Sequence, residues 1–155
     1  MFNVLNLVDW FRVKNHAEMR LNANVEALTR MKVMKLLYYV QGISLVYRNQ
    51  PAFQDAIIAT QTGPMIHQIC QKYQKPSTII GHISTQDLQH YQQLTQHHKL
   101  SNVLNTVWET YGDWSTLQIM HQIKQQPPWI QTPLQHPINL KQLQKFFTKI
   151  TVIEA

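Results

Sequence analysis

The sequence predicts a mainly α-helical fold built around one buried helix, for three reasons. Apolar residues recur at intervals of three and four along most of the chain, which is typical of helices that bury one face. No run alternates strongly between apolar and polar residues, as half-buried strands do. Only four glycines interrupt the 155 residues, and we expect each of them at the end of an element.

The individual helices follow from apolar spacing and from residues that cap helices. The first carries Val4, Leu7, Val8 and Phe11 on one face, and polar residues break its pattern at 21–28. Side-chain oxygens of Ser, Thr and Asn accept hydrogen bonds from the free N–H groups of a first turn. On these grounds we expect helices at 2–20, at 29–47 capped by Thr29, at 64–75, at 85–97 capped by Ser84 or Thr85, at 101–111 ended by Gly112, at 116–126 capped by Ser115, and a short last helix at 140–147 capped by Asn139.

The second helix is expected to form the centre of the core. Apolar side chains cover nearly its whole circumference, and such a helix is buried on most sides. Its first turn carries Arg30 and Lys32, although the helix dipole favours anions at that end. Two explanations stay open: the helix begins earlier, near Asn24 with Glu26 in its first turn, or its start is left positive for a partner.

A short apolar stretch at 53–59 separates the second and third helices, and we expect a short strand or an extended hairpin near 53–60. Gly63-Pro64 follows. Because proline presets the backbone of a first helical turn, we expect Pro64 to begin the third helix. No internal repeat or linker divides the chain, so we predict a single domain over 1–155, with its motif-bearing part at 27–130 and a C-terminal helix and tail at 137–155.

Charge and cysteine content limit the classes of function. The net charge is +6, which suits an acidic protein or a nucleic acid as partner. The basic residues are scattered and form no block, so no nucleic-acid-binding arm is predicted. Cys70 is the only cysteine, which excludes an intrachain disulfide and favours a reducing compartment. We expect a cytoplasmic protein that contacts no membrane, because no segment approaches the roughly 20 apolar residues of a membrane span and the N-terminus lacks the features of a signal peptide.

Patterns typical of enzymes or metal sites do not occur. His67 and Cys70 share a helix face, but a cysteine nucleophile needs a family context that the chain lacks. His97 and His98 are adjacent and diverge on a helix, and spacings such as HExxH or CxxC are absent. Glycine-rich phosphate-binding motifs are absent as well. We therefore expect a protein without catalytic residues, cofactor or metal.

Four local motifs occur in an informative order. The sequence Lys35-Leu36-Leu37-Tyr38-Tyr39 lies in the core helix, and Gly63-Pro64-Met65 follows the apolar stretch. Tyr111-Gly112 lies between two helices, and Met120-His121 is followed by Pro128-Trp129. In this order and at these spacings the chain resembles the Panacea domain family, which includes SocA-type antitoxins and the phage-associated protein GepA. The resemblance spans 27–130.

The resemblance implies a bacterial helical domain that neutralises a toxin encoded beside it. Family members pair with unrelated toxins, and some hand the toxin to a protease. The residues carried over from the family pattern are Lys35, Tyr38, Tyr39, Gly63, Pro64, Tyr111, Gly112, His121, Pro128 and Trp129. Three departures concern the partner surface more than the fold: Met65 replaces the usual Val, Met120 replaces the usual Thr, and Thr60-Gln61-Thr62 replaces the usual aromatic.

The motif residues also have structural interpretations. Tyr38 and Tyr39 lie about 100° apart on a helix, so we expect at most one of them to point into the core. Lys35 is expected to extend its stem along apolar surface and not to join His121 in a cluster. Gly63-Pro64 is expected to shape a helix start, and His121 with Pro128-Trp129 to fold the chain back. Tryptophan is a frequent interface anchor, so the candidate anchors for a partner are Trp10, Trp108, Trp114 and Trp129.

A second class of function stays open, that of a nucleic-acid-binding regulator that represses its own operon. The positive charge favours this hypothesis, and the lack of a helix-turn-helix with a basic recognition helix weighs against it. A continuous basic face would favour the regulator. An apolar groove with aromatic walls would favour the binding of a protein toxin.

Overall fold

Helices make up most of the structure, which confirms the predicted class. The computed structural model describes the backbone of residues 1–154 and the side chains of residues 1–150. These residues form the elements α1 (Val4–Leu21), α2 (Arg30–Tyr47), β1 (Ile58–Thr60), β2 (Gly63–Met65), α3 (His67–Lys72), α4 (Thr85–Gln96), α5 (His98–Tyr111), α6 (Thr116–Lys124), α7 (Pro127–Ile130) and α8 (Leu140–Glu154). None of the described helices combines the length and the apolar character needed to span a bilayer.

Side-chain caps set the starts of four helices where the sequence predicts them. Ser84 and Ser115 form reciprocal capping boxes with residues three positions later. Thr29 Oγ1 accepts from the Lys32 N–H at 3.1 Å, and Asn139 Oδ1 accepts from the Gln142 N–H at 3.0 Å. The predicted starts of α2, α4, α6 and α8 are therefore confirmed.

Other helix boundaries differ from the prediction. The fifth helix begins at His98 instead of residue 101, and α8 is not short but continues to Glu154. One glycine also lies inside an element: Gly42 is in the middle of α2, where a Cβ atom would overlap the ring of Phe147 on α8. Gly42 is therefore a contact point between two helices and not a helix end.

The helix α2 occupies the centre of the core. Residues 33–42 are all buried, and α2 packs against α5, α6, α8, α3 and the hairpin. Its two cationic residues at the start have partners inside the protein: Arg30 Nη1 donates to the Tyr73 carbonyl at 3.0 Å, and Lys32 Nζ donates to the Gly112 carbonyl at 2.6 Å. The first explanation for these cations is therefore wrong, since α2 begins at Arg30. A carbonyl group of the chain itself occupies one donor on each cation, and the second explanation, a start left positive for a partner, stays a prediction.

A small hairpin replaces the predicted start of the third helix. The strands β1 and β2 are antiparallel, with Ala59 opposite Pro64, and α3 begins only at His67. A third segment lies along the other edge of β1, where the Ala59 N–H donates to the His136 carbonyl at 3.0 Å and Gln135 N–H donates to the Ala59 carbonyl at 2.7 Å. Pro64 is tolerated in β2 because a strand with a free edge does not need its missing N–H.

Arg12 ties α1 to the segment that precedes α4. Its guanidinium donates to the carbonyls of Ile79 (2.7 Å), Ile80 (2.5 Å) and His82 (3.1 Å), and to the carboxylates of Asp9 (2.9 Å) and Asp87 (3.0 Å). Asp9 is 2% exposed and also contacts His90 Nδ1 at 2.8 Å. The neighbouring carboxylates help to raise the pKa of Arg12 above its ordinary value despite the opposing effect of burial. One guanidinium therefore satisfies five acceptors, most of them buried.

We predict that Arg12→Met lowers the free energy of unfolding by about 3–5 kcal/mol, because it leaves the buried Asp9 carboxylate without its cation. Urea denaturation followed by circular dichroism measures the loss. Arg20→Met, at the exposed end of the same helix, is the control and should change stability by less than about 0.5 kcal/mol. Equal effects of the two substitutions would contradict this role of Arg12.

Candidate partner-binding site

An open groove of about 700 Å³ runs along α6, and we call it the α6 groove. Its most exposed apolar side chain is Leu117, at 83% exposure. The lining contains apolar side chains, amides, one histidine and one lysine but no carboxylate: Trp114, Leu117, Gln118, Met120, His121, Gln122, Lys124 and Gln125. A surface of this composition suits a partner segment that has apolar side chains and acidic flanks.

Stacked aromatic rings connect the groove to the core. Tyr39 stacks on Tyr111 with 4.1 Å between the ring centroids and 25° between the planes. Tyr111 then contacts Trp114 edge to face, at 5.0 Å and 81°. Aromatic pairs in these geometries are worth about 0.5–1.5 kcal/mol beyond the area that they bury. The wall of the groove at Trp114 is therefore held by contacts that begin on the buried helix α2.

Tyr38 and Tyr39 both lie in the core, so the expectation that only one of them points inward is wrong. They are 0% and 1% exposed, because helices enclose α2 on several sides. Tyr38 Oη donates to Gln126 Oε1 at 2.7 Å, and Tyr39 Oη donates to Gln122 Oε1 at 2.8 Å. Burial raises the pKa of both phenols far above the usual value for tyrosine.

Sequence reasoning missed the two glutamines, Gln122 and Gln126, that hydrogen-bond to these tyrosines. Gln126 also donates from Nε2 to Tyr39 Oη at 3.2 Å, so the two phenols and two amides form one chain of hydrogen bonds that is buried except at Gln122, which is half-buried. The spacing of the two glutamines could have indicated that they face the core, since they share one face of a helix with the buried Ile119 and Ile123. The amides therefore join α6 and the residue that precedes α7 to α2.

Lys35 is buried, contrary to the expectation of a stem on the surface. It is 2% exposed, and its Nζ donates to the Thr62 carbonyl in the hairpin turn at 3.1 Å. Burial, with a smaller contribution from the charge of Lys124, lowers the pKa of Lys35 to about 8. His121 lies elsewhere: it is exposed on the groove, where its Nε2 is 2.9 Å from Gln125 Nε2.

Gly63 lies between Lys35 and the groove. Its φ of +130° belongs to a region that residues with a side chain rarely adopt. A Cβ atom at this position would lie 2.9 Å from Lys35 Nζ and 3.0 Å from Met120 Sδ. The position therefore requires glycine both for its backbone and for the space that two side chains occupy.

The remaining motif residues have mainly structural positions. Gly112 ends α5 as predicted, and Pro128 is buried in the short helix α7. Of the four tryptophans, Trp10 and Trp108 are buried, so they are not available as surface anchors. Trp114 and Trp129 are partly buried and pack against the core. Among these candidates only Trp114 and His121 line the α6 groove.

Within residues 1–150, one group of side chains has the proximity of metal ligands: Asp9, Asp87 and His90, whose ligand atoms all lie within 4.8 Å of one another. Arg12 Nη1 donates to both carboxylates, at 2.9 and 3.0 Å. A guanidinium in this position pairs with both acids, and His90 lies beside Asp9, so the group forms a network of ion pairs within the fold.

Comparison with protein families assigns this helical chain to a class of antitoxin-like domains. A family model described as "Antitoxin SocA-like, Panacea domain" matches residues 33–130. The match covers more than half of the chain, so the protein belongs to the SocA-like Panacea domain family, and the resemblance drawn from the four motifs is confirmed. This membership supports an antitoxin role in general. No curated relative and no solved structure matches the chain.

We predict that Gly63→Ala lowers the free energy of unfolding by about 2–4 kcal/mol, because it adds backbone strain and a close contact with Lys35 and Met120. The control is Gly81→Ala. Gly81 also has a positive φ (+48°), but a Cβ there would meet nothing within 4 Å, so we expect a loss of only about 1 kcal/mol. Similar losses in the two variants, measured by urea denaturation, would contradict the role of the contact.

We predict a pH dependence of stability that comes from Lys35. Because its pKa is about 8 in the folded protein and 10.5 ordinarily, the folded state binds fewer protons than the unfolded state between these values. Stability should therefore rise with pH from about 8 to about 10.5, with a slope of up to about 1.4 kcal/mol per pH unit from this group. Denaturation of the wild type and of Lys35→Met across this range measures the difference, and parallel curves would disprove the prediction.

Proposed function

We propose that this chain is a non-enzymatic antitoxin that neutralises a cognate toxin, the product of a neighbouring gene, by direct binding, and that the α6 groove receives a segment of that toxin. The observation that carries the proposal is the groove itself on a member of an antitoxin family. Leu117 exposes 83% of its surface at the groove. An exposed apolar side chain beside aromatic and amide groups is typical of a protein-binding surface.

The groove favours binding for a second reason, because its wall is held in place before a partner arrives. Trp114 packs on Tyr111, which stacks on the buried Tyr39. Gln122, another lining residue, is held by its hydrogen bond to Tyr39. A surface that is already ordered loses little conformational entropy on binding, so more of the contact energy remains as affinity.

The charge of the groove indicates which part of a toxin fits. Lys124 lines it together with His121, and no carboxylate does. We infer that the occupant is an amphipathic segment whose apolar face covers Leu117 and whose acidic residues lie near Lys124. By occluding the segment the antitoxin would block toxicity, and delivery of the bound toxin to a protease is a further step available to the same complex.

We predict that Leu117→Asp weakens binding to the toxin by at least about tenfold, since it removes an apolar anchor and sets a carboxylate against an acidic partner. The matched control is Leu88→Asp, an exposed leucine near the start of α4, at 44% exposure. Co-expression with the neighbouring gene product, growth assays and co-purification measure the effect. The thermal unfolding midpoint should not change in either variant.

Three outcomes of this experiment are informative. Loss of growth rescue with Leu117→Asp but not with Leu88→Asp supports the groove as the binding site. Equal binding by both variants would move the site away from α6. If the neighbouring product is harmless and does not co-purify, the antitoxin proposal fails, and DNA binding across a salt series becomes the next test because the net charge is +6.

Delivery to a protease is separated from occlusion by the toxin's lifetime. In cells that contain the complex, a toxin that is handed over disappears faster than the antitoxin, whereas an occluded toxin persists with it. The lifetime is measured after synthesis is stopped, with Leu117→Asp as the variant that cannot hold the toxin.

A further inference from the structure

A second cavity, of about 220 Å³, lies between the first half of α2, the hairpin and α3. We call it the hairpin cavity. It shares no lining residue with the α6 groove. Its walls contain two cationic side chains, two threonines, two prolines and four sulfur-containing side chains, and no carboxylate: Arg30, Met31, Met34, Lys35, Thr60, Thr62, Pro64, Met65, Cys70 and Pro76.

The two cations of this cavity have incomplete hydrogen bonding. Lys35 is 2% exposed, yet only one acceptor among the described residues, the Thr62 carbonyl, lies within reach of its ammonium. Arg30 donates from Nη1 to the Tyr73 carbonyl, but its Nε is buried and has no acceptor in the described structure. A buried donor without a partner costs about 1–3 kcal/mol. An unsatisfied buried group in a native structure calls for an explanation, and a bound ion is one of the explanations.

We propose that the hairpin cavity binds a small phosphate-class oxyanion, either inorganic phosphate or the phosphate group of a small phosphomonoester, with Arg30 and Lys35 as its donors. Guanidinium and ammonium groups are the usual partners of phosphate oxygens. The volume of about 220 Å³ is below the roughly 300 Å³ at which sites for drug-sized ligands begin, which suits an anion of this size.

The uncharged residues in the wall of the cavity contribute to selectivity among phosphate ligands. The hydroxyl of Thr60 donates to the Gly63 carbonyl at 2.7 Å, and the hydroxyl of Thr62, 3.3 Å from it, is the one that can turn toward a ligand as a further donor. The sulfur atoms of Met34 and Cys70, 3.8 Å apart, give an apolar, polarisable wall that suits a short carbon chain on the phosphate. These sulfurs are also ligands for soft metal ions, but a metal cation would lie beside two positive charges, so the cavity favours an anion.

The proposal does not rest on toxin binding, because the hairpin cavity and the α6 groove have different walls. Binding of an anion in this cavity should change the stability of the folded state. An anion on Lys35 and Arg30, both of which belong to α2, would neutralise positive charge enclosed beside the hairpin, and a ligand that binds only the folded state stabilises it by an amount that grows with the logarithm of the ligand concentration.

Isothermal titration calorimetry and thermal unfolding of the full chain at pH 7, with inorganic phosphate and with glycerol 3-phosphate, test the proposal. Sodium chloride at matched ionic strength is the reference. We expect saturable binding and a rise in the unfolding temperature beyond that in chloride. Arg30→Met and Lys35→Met should each weaken binding by at least about tenfold, the effect of losing one charge-assisted hydrogen bond. Arg20→Gln, which changes an exposed cation outside the cavity, should bind as the wild type does.

Arg30→Lys keeps the test decisive where Arg30→Met does not fold. It retains the charge but lacks the forked donors of the guanidinium, so it should fold and bind phosphate more weakly than the wild type. Broadening of the phosphate signal in ³¹P NMR, and its loss in Lys35→Met, gives a second readout that does not depend on stability. Tighter binding of glycerol 3-phosphate would assign an organic phosphate, and tighter binding of phosphate the free ion. Equal stabilisation by phosphate and chloride, or unchanged binding in the cavity variants, would overturn the proposal.

Discussion

Burial of α2 on nearly all sides is the constraint on which the rest of the structure depends. Each polar side chain of an enclosed helix needs a partner inside the protein, because an unpaired buried group costs about 1–3 kcal/mol. The partners come from different elements: Lys35 reaches the hairpin turn, Tyr39 reaches Gln122 in α6, and Gln41 donates to the Phe53 carbonyl in the segment after α2. These hydrogen bonds determine where the hairpin, α6 and that segment lie around the helix.

The candidate site depends on the same constraint. The α6 groove is on the surface, but Gln122 and Trp114 in its wall are fixed through Tyr39, directly in one case and by way of Tyr111 in the other. The hydroxyl of Tyr39 therefore holds Gln122, and the face of its ring holds Tyr111. In this way one tyrosine in the core positions two parts of a groove on the surface. Core packing and the proposed partner binding are not alternative roles here, since the first positions the groups that line the groove.

Features that are local in the sequence could be predicted, and those that need distant neighbours could not. The starts of α2, α4, α6 and α8 are predictable because a capping side chain acts within three residues. Pro64 is misassigned because its fixed φ suits both a helix start and an edge strand, and only the pairing with Ala59 decides between them. Of the groove, Trp114 and His121 are predicted, whereas Gln122 is missed because a neutral amide is equally compatible with solvent and with a buried phenol.

Gly63 is the point at which the two sites of the molecule meet. The position of its missing Cβ lies 2.9 Å from Lys35 Nζ, which belongs to the hairpin cavity, and 3.0 Å from Met120 Sδ, which belongs to the α6 groove. A side chain here would press on both groups, and glycine leaves that space to them. The family pattern at Gly63-Pro64 therefore has a physical reason beyond the shape of a turn: it keeps the ammonium of the buried helix next to the floor of the surface groove.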